Sequence, residues 1–248
     1  MTGKPLYDHV RKYISAIFQK RLTEEGFFSD NGINWYRISQ DEVIHGIYFY
    51  SSYPMLPAAL NIGYGCHPMF IAPHISSNPH LSGNPGYEVI YPGKLNMKAA
   101  NTIFSMDAMV LCPDDEFKGL DLLDAVLSDI DGHNTASDCY ALHKQWKDSQ
   151  IQNQTFMNVS TAFLDEVVYF DDKELYPMCA EWIRSRTESL RTAQETAKLW
   201  EGHETELKEL EILAPAILQG KRQEHLQLLA QREKAIRKKL QTILENKI

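Results

Sequence analysis

The stretch GYGCHPMFIAPHISSNPHLSG, residues 63–83, gathers Cys66, His67, His74 and His80. A structural zinc takes four such nitrogen and sulfur ligands in a tetrahedron, and a catalytic zinc takes three with one position open. The gaps of seven and six residues between successive histidines match no common finger or ribbon spacing, where one turn presents two ligands together. Each histidine also adjoins a proline (His67-Pro68, Pro73-His74, Pro79-His80), and such backbone is extended and splays side chains apart. The expectation is a loop whose histidines cap, stack or bond backbone, with no cofactor. Zinc or manganese on Cys66, His67, His74 and His80 is the competing reading, and it would make the chain a metal-dependent hydrolase or nuclease-like enzyme.

A second candidate is aromatic. Trp35, Tyr36, Tyr48, Tyr50 and Tyr53 cluster in sequence, and such side chains bind partners well because they bury large area with few rotatable bonds. They serve equally to pack a sheet under helices. Other chemistry finds less support. There is no G-x-S-x-G elbow, no G-x-x-x-x-G-K-[ST] and no G-x-G-x-x-G. DIDGH (129–133) lacks the ligand order of an EF-hand, and a helix ending at Gly132 explains it.

The elements that would position these residues follow from periodicity. Residues 5–25 carry Val10, Ile14, Ile17, Phe18 and Leu22 on one helical stripe, with Gly26 placed for a left-handed cap. NWYRIS (34–39), a turn at Gln40-Asp41 and EVIHGIYFYS (42–51) predict a hairpin whose second strand is apolar on both faces. AALNIGYG (58–65) predicts a third strand with Leu60, Ile62 and Tyr64 on one face. The prolines and glycines of 66–94 predict loop, with MFIA and YEVIY (87–91) as short strands. From about residue 95 the pattern is helical: 116–131, 134–146 capped by Asn134 or Thr135, 160–170, and 173–202 with Pro177 near its start. Two further segments, broken at Gly202 and Gly220, carry stripes through Leu207, Leu210 and Ile217 and through Leu226, Leu229, Ile236, Leu240 and Ile243. They predict a helical hairpin, and a seam of this kind also suits self-association through 203–248.

Charge narrows the partners. The 248 residues carry a formal net charge of −8, which argues against nucleic acid as the main partner because phosphates require a basic face. Residues 220–248 are nevertheless basic, with eight Lys or Arg against three Glu, while 107–131 hold eight acidic side chains and one lysine. The amino-terminal MTGKPLYDHVRKYISAIF does not read as a secretory signal, and no apolar run is long enough to span a bilayer. Four scattered cysteines, Cys66, Cys112, Cys139 and Cys179, read as reduced and buried in a soluble cytoplasmic protein.

The order of FQKRLTEEGFF, NWYRI, EVIHGIYFYSS and LNIGYGCHP over residues 10–75 resembles the bacterial family catalogued as domain of unknown function 4304. The matching features are Gly26-Phe27, Tyr36-Arg37, Ile44 to Tyr50 and Asn61-Ile62-Gly63. The resemblance implies an α+β domain in which the first helix covers a curled antiparallel sheet. It carries over no activity and no catalytic residues. The reading is an α+β chain, with residues 1–150 as the mixed domain and 151–248 as a helical region ending in a hairpin. The function expected is a non-enzymatic protein-binding or adaptor module of a bacterial cytoplasm, of the kind that serves immunity or defence.

Overall fold

The computed structural model of the chain describes residues 14–29, 32–40, 43–51, 59–71, 102–105, 113–152, 161–196 and 201–245. They belong to two compact units, one of Met1–Met69, His74–Trp146 and Lys239–Ile248, the other of Phe70–Pro73 and Lys147–Lys238. The architecture is α+β, with an open sheet in the first unit and helices in the second.

In the first unit, residues 14–17 are helical and α1 (Gln19–Glu24) follows a break at Phe18. Ile14, Ile17, Phe18 and Leu22 are buried, as their three- and four-residue spacing requires. Gly26 ends the helix at φ +79°, a conformation that costs glycine little. Its N–H bonds Thr23 O while Phe27 N–H reaches back to Leu22 O, the double closure of a Schellman motif. Four strands then form one antiparallel sheet in the order β1 (Asn34–Ser39), β2 (Val43–Ser51), β3 (Ala59–Pro68), β4 (Thr102–Ser105). The hairpin register sets Trp35 opposite Ile47 and Arg37 opposite His45, and β3 continues the rows with Tyr64 opposite Ile47 and Cys66 opposite His45. Directly opposed residues share a face, so Trp35, Ile47 and Tyr64 form one row and Arg37, His45 and Cys66 the next.

That face shares its core with α1, with α2 (Pro113–Ile130) and with α3 (Ala136–Gln152). Phe18 stacks on Phe49 with centroids 5.0 Å apart, and Leu123, Val126, Leu127 and Ile130 supply the α2 stripe. Pro113 occupies the first position of α2, where a missing N–H costs nothing. Thr135 caps α3 by accepting from Asp138 N–H at 3.2 Å, and the Asp138 carboxylate accepts from Thr135 N–H at 3.0 Å. Those bonds to Thr135 hold the Asp138 carboxyl below its usual pKa. The opposite face of the hairpin is also covered, since Tyr36 and Ile44 are buried.

The second unit holds α4 (Thr161–Tyr169), α5 (Tyr176–Glu195), α6 (Glu201–Leu218) and α7 (Arg222–Glu245), the last running on into residues of the first. Every residue of α4 from Thr161 to Val168 is buried, Asp165 and Glu166 included. α6 packs on α5 and on α4, and the ion pairs Arg186–Glu206 at 2.6 Å and Arg191–Glu211 at 2.9 Å link α5 to α6. Phe70 joins this unit by stacking on Tyr169 with centroids 4.0 Å apart.

Several expectations change. Residues 102–105 form an edge strand where the sequence reads as helix; four residues are too few for alternation to register, and pairing with β3 supplies what local pattern does not. Met69 and Phe70 form a turn instead of opening a strand, while 87–91 lie outside the described residues. Gly202 does not break a helix: α5 ends at Glu195, and Gly202 sits in the first turn of α6. Gly220 is a break, at φ +68°. On either side of that break α6 packs on α5 and α4, and α7 is bonded to α4 through Arg222 and His225.

Candidate functional site

Three arrangements of side chains stand out among the described residues. The first is the polar row of the sheet. His45 is fully buried on a strand face that otherwise carries Val43, Ile47 and Phe49. Its Nε2 lies 2.7 Å from the carbonyl oxygen of His133, and its Nδ1 lies 2.9 Å from an Arg37 Nη2. A carbonyl only accepts and a guanidinium only donates, so the ring is the neutral Nε2–H tautomer. Burial pushes its pKa down from 6.5 to about 4, and the neighbouring Arg37 charge acts in the same direction. Arg37 also bonds Asp131 and lies 4.7 Å over the Phe27 ring. Further bonds to the same turn come from Tyr64 Oη, which donates to Asp129 at 3.0 Å, and from Ser39 Oγ, which donates to Asn134 at 2.6 Å. Burial, reinforced by the Asp129 charge, raises the Tyr64 pKa. One contact each from Arg37, Ser39, His45 and Tyr64 ends on residues 129–134 at the α2–α3 turn, so together they form a latch that seats the turn on the sheet. DIDGH is therefore a helix end and a docking turn.

The second arrangement lies in the second unit. Asp165 accepts from His225 Nε2 at 2.7 Å and from Arg232 Nη1 at 2.8 Å. The His225 Nδ1 is buried and has no hydrogen-bond partner among the described residues. Arg222 adds two bonds of 2.7 Å from Nε and Nη2 to the carbonyls of Val168 and Tyr169, satisfying the open end of α4. Arg222, His225 and Arg232 thus make one stripe of α7 that grips α4. An Asp–His pair of this kind can serve as a general base, but its 2–3% exposure places it in the packed interior.

The third is a groove of about 540 Å³ between α5 and α6. Ala214, Pro215 and Leu218 give it its accessible apolar lining, while Ile183 and Leu210 are buried, and Arg184, Glu188, Arg191, Glu195 and Glu211 give its charges. Arg191 is paired with Glu211, while Arg184, Glu188 and Glu195 carry no ion pair among the described residues. The volume falls in the range of ligand-sized clefts.

The residues singled out in the sequence fare unequally. Trp35 and Tyr36 are buried, 5% and 1% exposed, so they pack the two faces of β1 and present no recognition surface. Tyr48 and Tyr50 stand opposite Gly63 and Asn61 in the β2–β3 register, and Tyr53 lies outside the described residues. Cys66 is buried with its Sγ 2.7 Å from that of Cys139. His67 stands opposite Ile44 in the ladder, and His74 and His80 lie outside the described residues. Among the described residues no three His, Cys, Asp or Glu side chains converge as metal ligands. No helix among them is long and apolar enough to cross a membrane. His45 and Asp165 were missed, though His45 left a signal as the lone polar residue on an apolar strand face and Asp165 as one of two adjacent carboxylates in the apolar run TAFLDEVV. The α5–α6 groove left none, because it is made by two helices meeting.

No family model matches the chain, and neither a curated protein nor a solved structure matches it.

Proposed function

We propose that the protein is a binding module and that the α5–α6 groove receives an amphipathic helix from a protein partner. The groove carries the reading: a cleft between two helices, with Ala214, Pro215 and Leu218 open on it and charges at its rim, is a form in which one helix accepts the apolar stripe of another. With Arg191 already paired to Glu211, the charges left are Glu188 and Glu195 against Arg184, a net acidic rim. The partner helix therefore carries Lys or Arg beside its apolar stripe, in keeping with the chain's net charge of −8. We also propose kinship with the domain of unknown function 4304 family, supported by the helix, hairpin and third strand in the first unit.

Photocrosslinking in cells tests the groove. A photoreactive residue at Thr187 or Leu218 is expected to capture one partner protein, and Ala214→Arg to abolish the capture without lowering the melting temperature. The exposed position Gln227, outside the groove, serves as control. Capture that is the same from Gln227, or that survives Ala214→Arg, overturns the proposal.

A further inference from the structure

Cys66 and Cys139 come from elements 73 residues apart in sequence, yet their Sγ atoms lie 2.7 Å apart. Both are fully buried and belong to the same core cluster. A disulfide bond is about 2.05 Å long, so a small side-chain shift joins them. The surroundings hold both in place. Cys66 is fixed by the β3 ladder opposite His45, and Cys139 by the first turn of α3, where its N–H bonds Thr135 O at 3.2 Å. Cys179 differs: it is buried in the other unit, and burial, with the Asp172 charge, pushes its thiol up to about 12. A thiol so seldom ionised is a poor nucleophile.

We infer that Cys66 and Cys139 are a redox pair that closes to a reversible disulfide when the protein meets a peroxide. One thiol, ionised, attacks a peroxide oxygen, and the O–O bond breaks to give a sulfenic acid and water. The other thiol attacks the sulfenic sulfur and expels a second water. Two thiols and one hydrogen peroxide thus give one disulfide and two waters. Because neither sulfur is exposed, the oxidant enters only when this part of the core opens locally, and the rate follows that opening. The disulfide fastens the start of α3 to β3, beside the turn that Arg37, His45 and Tyr64 already hold.

The test uses the full chain, purified in dithiothreitol, desalted, treated with excess hydrogen peroxide, then unfolded with a maleimide in the absence of reductant. The expected product is lighter by two hydrogen atoms and has two thiols protected. Its linked peptides carry Cys66 and Cys139, dithiothreitol reverses the change, and the melting temperature before reduction rises by about 10 °C. Labelling of all four thiols, or a bridge through Cys112 or Cys179, overturns the inference. So does sulfinic acid at Cys66 with no bridged product. Cys139→Ala is expected to lose the protection at Cys66; retention of that protection counts against the pair.

Discussion

Arg37 and His45 stand directly opposite each other in the β1–β2 ladder, and the guanidinium donates to Nδ1 at 2.9 Å. Burial, with that cation beside it, holds the imidazole in its neutral form, and its Nε2–H donates to the His133 carbonyl.

This arrangement sets a pH dependence. The folded pKa of His45, about 4, lies below the unfolded value of 6.5, so the unfolded chain binds the extra proton between them. Stability from this residue is complete above pH 6.5 and falls as pH drops toward 4. At pH 4.5 the loss is about 2–3 kcal/mol relative to pH 7. His45→Gln can keep both hydrogen bonds without titrating. Its urea midpoint is expected to fall less than the native one over the same interval.

Arg37 joins Glu25, His45, Asp131 and the Phe27 ring through one planar group. Arg37→Ala is expected to cost about 3 kcal/mol, because buried acceptors lose their donor. Arg37→Lys is expected to recover less than half of that, since an ammonium cannot reproduce the fork. Urea unfolding at pH 7 measures both.

Removing Asp165 strands two donors at once. Asp165→Ala is expected to cost about 3–5 kcal/mol, as for a broken buried pair. Asp165→Asn keeps the volume and one acceptor and is expected to cost about half as much. Hydrogen exchange read along α4 locates the loss.

Asp171 adopts φ +54° after α4 while accepting from Tyr176 Oη at 3.1 Å. Burial, aided by that bond, pushes the Tyr176 hydroxyl up to about 12. Asp171→Gly relieves the backbone but loses the acceptor, so it is expected to change stability by less than about 1 kcal/mol. Asp171→Ala keeps the strain and loses the acceptor, at about 2 kcal/mol. Thermal melts distinguish the two, and an Ala variant as stable as the Gly variant counts against backbone strain.

The parts of the fold readable in the sequence are those set by short-range pattern. The Gly26 cap, the 34–39/43–51 hairpin and the Thr135 cap each follow from a few adjacent residues. What escaped reading depends on distant pairing. β4 exists because β3 offers an edge, and α6 finds α5 and α4 although its stripe suits α7 equally well. Trp35 and Tyr36 misled for a related reason, since period-two alternation cannot tell a row facing a covering layer from one facing solvent. The close approach of Cys66 to Cys139 spans 73 residues and needs the register of three strands to appear.

The burial of α4 has a consequence for synthesis. Asp165 waits for His225, which leaves the ribosome 60 residues later. At ordinary translation rates that is roughly 3–12 s, during which TAFLDEVV has been made but its clasp has not. The second unit therefore cannot close the Asp165–His225 clasp on α4 until the start of α7 has been made.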